Sequence, residues 1–163
     1  MHPGIPGTLA ALLGVVGPAG SAGTSAMPST GDRMVTVAGC THATDTGAVT
    51  VRDGGDLEWV LSGIVRARCD SRPDGHLLQA SLQHKTHGTW ATLPPSEYDV
   101  TPTIHVEDPD GVSTGNGATY EVSAECAPGT YRVRYKATVT RGGTTQTTGT
   151  VTTAPVVIKH CDG

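Results

Sequence analysis

Leu57-Glu58-Trp59-Val60-Leu61-Ser62-Gly63-Ile64-Val65-Arg66-Ala67-Arg68-Cys69 is the stretch that decides the fold. In an extended chain Leu57, Trp59, Leu61, Gly63, Val65, Ala67 and Cys69 share one side. Glu58, Ser62, Arg66 and Arg68 mostly share the other, with Val60 and Ile64 as exceptions. A period of two marks a half-buried strand rather than a helix. Trp59, Leu61 and Cys69 should therefore point together into a core.

The same alternation recurs on both sides of this strand, punctuated by turn residues. Asp70-Ser71-Arg72-Pro73-Asp74-Gly75 is a turn, after which Leu78, Ala80 and Leu82 alternate with Gln79, Ser81 and Gln83. A short strand through Trp90 and Leu93 is stopped by Pro94-Pro95, and residues 99–107 alternate around Pro102. A proline has no N–H for a ladder, so this last segment suits an edge. Tyr120, Val122, Ala124 and Cys126 share a face. Tyr131, Val133, Tyr135, Ala137 and Val139 form the cleanest alternation in the chain, with Arg132, Arg134, Lys136 and Thr138 opposite them. Arg141-Gly142-Gly143 reads as a hairpin loop, the threonine-rich stretch 144–153 as strand, and Val156 to Ile158 as a last short strand. About eight to ten short strands without a helical period predict an all-β fold, an immunoglobulin-like two-sheet β-sandwich.

Composition agrees. Hydrophobic residues are 36% of the 163, there is no Phe, and two Trp and four Tyr are the only aromatics. A lean core of this kind gains from covalent staples. The net charge of -4 gives no reason to expect nucleic-acid binding.

Residues 8–16 (TLAALLGVV) form an uncharged apolar run of signal-peptide length, too short to span a bilayer. Small residues follow, so residues 1–26 are read as a signal peptide cleaved after Ala22 or Ala26. Residues 27–33 form a flexible lead-in and 34–163 a single β-sandwich domain. Secretion to the extracellular space is the expected location. Val37-Ala38-Gly39-Cys40 imitates a lipobox, but Asp32 and Arg33 stand just upstream and lipidation would leave an odd number of cysteines.

Cys40, Cys69, Cys126 and Cys161 allow three pairings, between which sequence alone does not choose. Parity favours a nested arrangement, Cys69 with Cys126 between facing sheets and Cys40 with Cys161 tying the ends. Trp59 or Trp90 would then be the aromatic buried beside the inner bond. That bond would be worth about 4 kcal/mol on the chain-entropy model, and the outer bond less than its own length predicts. No CxxC and no paired His at ligand spacing accompany them, which argues against a metal or a reactive thiol.

Other chemistry-bearing residues have plainer explanations. His84 and His87 should diverge on a strand, with His76 and His105 elsewhere. Glu107-Asp108-Pro109-Asp110-Gly111 resembles part of a calcium loop but lacks its bidentate Glu, and a β-turn accounts for it. Arg132, Arg134 and Lys136 form a cationic stripe that could dock an acidic partner or an anionic cell-wall polymer, with Arg66 and Arg68 a shorter stripe on an opposite surface. HExxH, P-loop and GxGxxG motifs are absent from the sequence, and no catalytic, cofactor-binding or metal residues are expected.

Cys126-Ala127-Pro128-Gly129-Thr130-Tyr131, followed by Arg132, and Val65-Arg66-Ala67-Arg68-Cys69-Asp70-Ser71-Arg72-Pro73 resemble segments of small secreted four-cysteine immunoglobulin-like proteins of actinobacteria. The resemblance covers roughly residues 34–163. It implies fold and compartment and carries over no site residue. The expected function is a secreted, non-enzymatic module that binds a protein or cell-envelope partner through its surface, as a monomer and without an integral membrane segment. The alternatives are an assembly subunit or adaptor that adds residues 27–39 or an edge strand to a partner sheet, or an enzyme inhibitor presenting Pro94-Pro95-Ser96-Glu97-Tyr98.

Overall fold

A computed structural model describes residues 33–162, apart from 56–57, 96 and 98–99. The expected signal peptide and most of the lead-in lie outside the described residues. The strands are β1 (Met34–Val37), β2 (Cys40–Asp53), β3 (Trp59–Cys69), β4 (Gly75–Thr86), β5 (Thr89–Thr92) and β6 (Thr103–Glu107), then β7 (Ala118–Glu125), β8 (Gly129–Arg141), β9 (Thr144–Thr147), β10 (Val151–Thr152) and β11 (Val156–Ile158). Among the described residues one 3-10 turn, Gly111–Ser113, interrupts them.

The strands form two sheets, a two-sheet β-sandwich as the alternation predicts. The first sheet is ordered β1-β2-β3-β7. The second is built on β4 and β8, with β5 and β6 sharing the free side of β4 and β9, β10 and β11 sharing that of β8. Leu61 and Val65 from one sheet meet Leu78, Leu82, Val133 and Val139 from the other, all fully buried. With no Phe available, Tyr120, Tyr131 and Tyr135 supply aromatic bulk to the core. Each buried hydroxyl is satisfied: Tyr131 donates to the Ala127 carbonyl (2.9 Å), Tyr135 to the Arg33 carbonyl (3.3 Å) and Tyr120 to Asp108 Oδ2 (3.1 Å).

Three hairpins turn on two residues, each with both φ angles positive: Ala38-Gly39, His87-Gly88 and Gly142-Gly143. Such turns match the twist of the strands they join. The lipobox-like Val37-Ala38-Gly39-Cys40 is thus the β1–β2 hairpin loop with its flanking pair. Glycine suits position 39 because its φ is +74, and a Cβ there would also press on the Asp70 carboxylate, 2.6 Å away.

The threonine-rich segment completes the edge of β8 with its side chains. Where the chain leaves the ladder, Thr148 Oγ1 accepts the Ala137 N–H (3.0 Å) and Thr153 Oγ1 the Val133 N–H (2.9 Å). The backbone N–H groups of the same two threonines donate to the Ala137 and Val133 carbonyls. The hydroxyls substitute for strand carbonyls in a segment too irregular to supply them.

The disulfide pairing differs from the nested expectation: Cys40 bonds Cys69 and Cys126 bonds Cys161. Parity correctly placed Cys69 inward, but it selects a face, not a partner. Cys40 and Cys69 are directly opposed on neighbouring strands of one sheet. Cys126 sits at the far end of the adjacent strand, its N–H donating to the Trp59 carbonyl (3.0 Å). Residues 59 and 69 are separated by about 33 Å of extended chain, which rules out a Cys69–Cys126 bond. Cys126 instead follows β7 in the first sheet and Cys161 follows β11 in the second, so their bond clips the two sheets together at the rim. Neither tryptophan is the buried aromatic expected beside a disulfide: Trp59 is 36% exposed and Trp90 lies on the outer face of the second sheet.

The Cys126-x-x-Gly-x-Tyr motif has a structural explanation. Cys126 carries the rim disulfide and Tyr131 folds its hydroxyl back onto Ala127. A Cβ on Gly129 would come within 2.6 Å of His84 Nε2.

Candidate functional site

β8 is the central strand of the second sheet, and its residues 132, 134 and 136 face outward because 131, 133, 135 and 137 fill the core. The ladder sets Arg132 opposite Gln83, Arg134 opposite Ser81 and Lys136 opposite Gln79 on β4. On the far side of β4, Ser81 faces Thr103 and Gln79 faces His105 of β6. Every cation of the stripe therefore stands across from an uncharged hydrogen-bonding side chain. Among the described residues no carboxylate forms an ion pair with Arg134 or Lys136, both of which are exposed.

Four cations elsewhere are paired with carboxylates. On the first sheet Arg52 pairs with Glu121 (2.7 Å) and Arg66 with Asp45. Arg72, in the turn after β3, pairs with Asp110, and Arg141, at the end of β8, pairs with Asp70. Glu121 is drawn below the usual carboxylate range despite partial burial, which alone would raise it, because the Ser62 hydroxyl and Arg52 bond its ionised form. The stripes containing Arg66 and Arg132 lie on opposite outer surfaces, as they belong to different sheets.

Arg132 is fixed in place. Its guanidinium carbon lies 4.1 Å from the centroid of the Trp90 ring, and its Nε donates to Gln83 Oε1 (2.9 Å). Lys85 Nζ is 5.9 Å from the same ring. The Arg132 pKa is pulled below the ordinary guanidinium value, first by partial burial and then by the positive charges of Arg134 and Arg33. Beside it, Gln79, Ser81, Thr92, Thr103, His105, Arg134, Lys136 and Thr150 edge a trough of about 400 Å³. An acid, Glu107, stands on the same face of β6, one alternate position beyond His105.

A second polar cluster, His42 with His76, was not singled out from the sequence. His42 on β2 and His76 on β4 project from facing sheets, both essentially inaccessible, with their Nε2 atoms 3.0 Å apart. One ring donates to the other, and both Nδ1 atoms are buried without a partner among the described residues. Burial lowers the His42 pKa to about 4, helped by the proximity of His76. His76 is lowered too, by burial, against a smaller opposing pull from Asp108. Tyr120 packs beside His76, its ring centroid 6.4 Å away, and its hydroxyl donates to Asp108. The cluster is neutral, sealed inside the sandwich and out of reach of a substrate. His42 was detectable: it lies two residues from Cys40, as His76 lies two from Leu78, and parity puts all four inward.

The remaining sequence candidates separate. His84 stacks on Tyr131, the ring centroids 4.7 Å apart, whereas His87 sits at a hairpin tip. Asp108 caps the 3-10 turn through the Gly111 N–H (2.7 Å) and receives the Tyr120 hydroxyl, so the acidic turn is internally bonded. Among the described residues no three His, Cys, Asp or Glu side chains gather as a metal set, and no helix is long and apolar enough to cross a membrane. Ser96 and Tyr98 of the proposed inhibitory loop lie outside the described residues. In comparisons with protein-family models, with curated proteins and with solved structures, the chain matches none.

Proposed function

We propose that the protein is a secreted, non-enzymatic β-sandwich module that binds a negatively charged partner through the outer face of β4, β6 and β8. The observation that carries this reading is the row Arg132, Arg134 and Lys136, which faces Gln83, Ser81 and Gln79 in a chain whose net charge is -4. A solvated face in an acidic protein costs least when its cations are interleaved with acids, as on the first sheet. Here, among the described residues, no carboxylate pairs with Arg134 or Lys136, so the field along the stripe stays positive and attracts anions. Two disulfides and the apolar run at residues 8–16 support an oxidising compartment outside the cytosol.

The test is retention on a carboxylate-bearing surface. The wild-type protein should be retained at low salt despite its net negative charge and released as salt rises. The variant Arg132→Gln/Arg134→Ser/Lys136→Thr should not be retained. Equal retention of the two proteins would sink the reading.

A second reading, an adaptor that adds a strand to a partner sheet, draws on β1. Among the described residues that strand pairs only with β2, and Met34 upon it is 64% exposed. Gel filtration of the secreted protein, alone and with co-purifying material, distinguishes the two: a monomer without a companion removes the adaptor.

A further inference from the structure

We infer that the trough beside Arg134 and Lys136 is a binding site for an acidic polysaccharide, one whose negative charge is carried by the carboxylates of uronic-acid residues. This rests on the anion-binding role proposed for the same face and assigns its ligand class.

Three observations point to a charged carbohydrate rather than to a bare anion or an acidic protein. The first is the composition of the lining. Arg134 and Lys136 supply charge, but much of the remaining wall is Gln79, Ser81, Thr92, Thr103 and Thr150, whose amide and hydroxyl groups both donate and accept. A phosphate or sulfate polymer uses donors alone, whereas sugar hydroxyls need both kinds of partner. Gln79 also lies within 3.3 Å of His105 Nδ1, which holds its amide at the trough's edge.

The second is geometry. The trough is on the face of the sheet, where β4 is already bonded on both sides by β6 and β8. A peptide cannot add there as a strand, so the main-chain hydrogen bonds by which extended acidic peptides usually dock are not on offer. Cations at alternate positions of one strand recur about every 7 Å, which presents a line of charge to a linear polymer rather than a single anion socket.

The third is pre-organisation. Arg132 is held against Trp90 and Gln83 before any ligand arrives, so ordering it on binding costs little side-chain entropy. Arg134 and Lys136 remain exposed at its side, directed toward the trough.

Binding is measured by calorimetry on the intact disulfide-bonded protein, with oligogalacturonate, its neutral methyl-esterified counterpart, polyphosphate and polyglutamate as probes. Oligogalacturonate should bind, and the neutral counterpart at least tenfold more weakly. Arg134→Ser/Lys136→Thr should abolish binding. Gln79→Ala/Thr103→Val should weaken oligogalacturonate tenfold or more while leaving any binding of polyphosphate or polyglutamate unchanged. These positions are exposed or half-buried, so the variants retain the fold, which the circular dichroism spectrum and melting temperature verify. If polyphosphate or polyglutamate binds as tightly as oligogalacturonate, and Gln79→Ala/Thr103→Val changes nothing, the carbohydrate assignment falls while the anion-binding role stands. If no polyanion binds, both fall.

Discussion

His42 and His76 meet head-on across the core, each the other's only hydrogen-bond partner among the described residues. Whichever ring donates its Nε2–H, the accepting ring must carry its proton on Nδ1, where no acceptor is found, so one buried N–H is left unpaired. The pair also resists protonation. A free histidine takes up a proton near pH 6.5, but folded His42 does so only near 4. The unfolded chain therefore binds more protons than the folded one between those values, and stability falls as pH drops through that window. Above pH 6.5 both states are neutral and the contribution is constant; below 4 both are charged and the loss is complete. For His42 alone the loss is about 3 kcal/mol, and His76 adds to it in the same direction. Denaturant melts between pH 8 and 4 should show this acid limb. His42→Leu/His76→Leu should flatten it while costing little or nothing at pH 7, since both polar partners leave together. An unchanged acid limb in that variant would assign the effect to other groups. Gly39 makes a simpler case. At φ +74 and with the Asp70 carboxylate needing to move aside for a Cβ, Gly39→Ala should cost about 1–2 kcal/mol. Gly142→Ala, with a positive φ but open space around it, should cost less.

At the scale of the element, alternation made most of the fold legible. The faces of β3, β4, β7 and β8 follow the period of two, and the outward course of Arg132, Arg134 and Lys136 could be read directly from it. β2 was the hard strand. Cys40, His42 and Thr44 point inward at even positions, but the register shifts between Thr44 and Val49, after which odd-numbered Val49 and Val51 face the core. An alternation that changes phase in mid-strand looks like none, and His42 was lost with it. Disulfide partners were illegible for a different reason: they depend on which strands are neighbours, and periodicity carries no information about neighbours. Two element-level predictions follow from contacts between strands. Gly63 faces the second sheet at close quarters, and a Cβ would be 2.6 Å from Val133 Cγ2 and 3.2 Å from Val122 Cγ2. Gly63→Ala should therefore destabilise by about 1–3 kcal/mol through overpacking, measured by urea midpoint. Thr153→Val should cost a similar amount, about 1–3 kcal/mol, by stripping the buried Val133 N–H of its acceptor. Thr145→Val, whose hydroxyl contacts only the exposed Thr140 hydroxyl, should stay within about 0.5 kcal/mol of wild type.

For the whole molecule, the two disulfides set how the chain is constrained, and the observed pairing changes their combined effect. In a nested arrangement the outer bond closes a loop that the inner bond has already shortened, so the two overlap. Here residues 40–69 and 126–161 form separate loops, with sequence separations of 29 and 35. On the chain-entropy model each closure restricts the unfolded chain by about 3.5–4 kcal/mol, and because the loops share no residues the two effects add. Their combined worth, about 7 kcal/mol, rivals the net stability of a typical domain. The bonds also do different work in the folded state: one joins two strands within a sheet, while the other clips β7 to the end of β11 across the sandwich. Removing them singly, as Cys40→Ala/Cys69→Ala and Cys126→Ala/Cys161→Ala, should cost about 2–4 kcal/mol each. The variant lacking both should lose the sum of the two and be largely unfolded at room temperature. Urea melts of the three proteins, beside the wild type with and without reductant, measure this directly. A combined loss well below the sum would mean that the two loops are coupled in the unfolded chain, as overlapping loops would be.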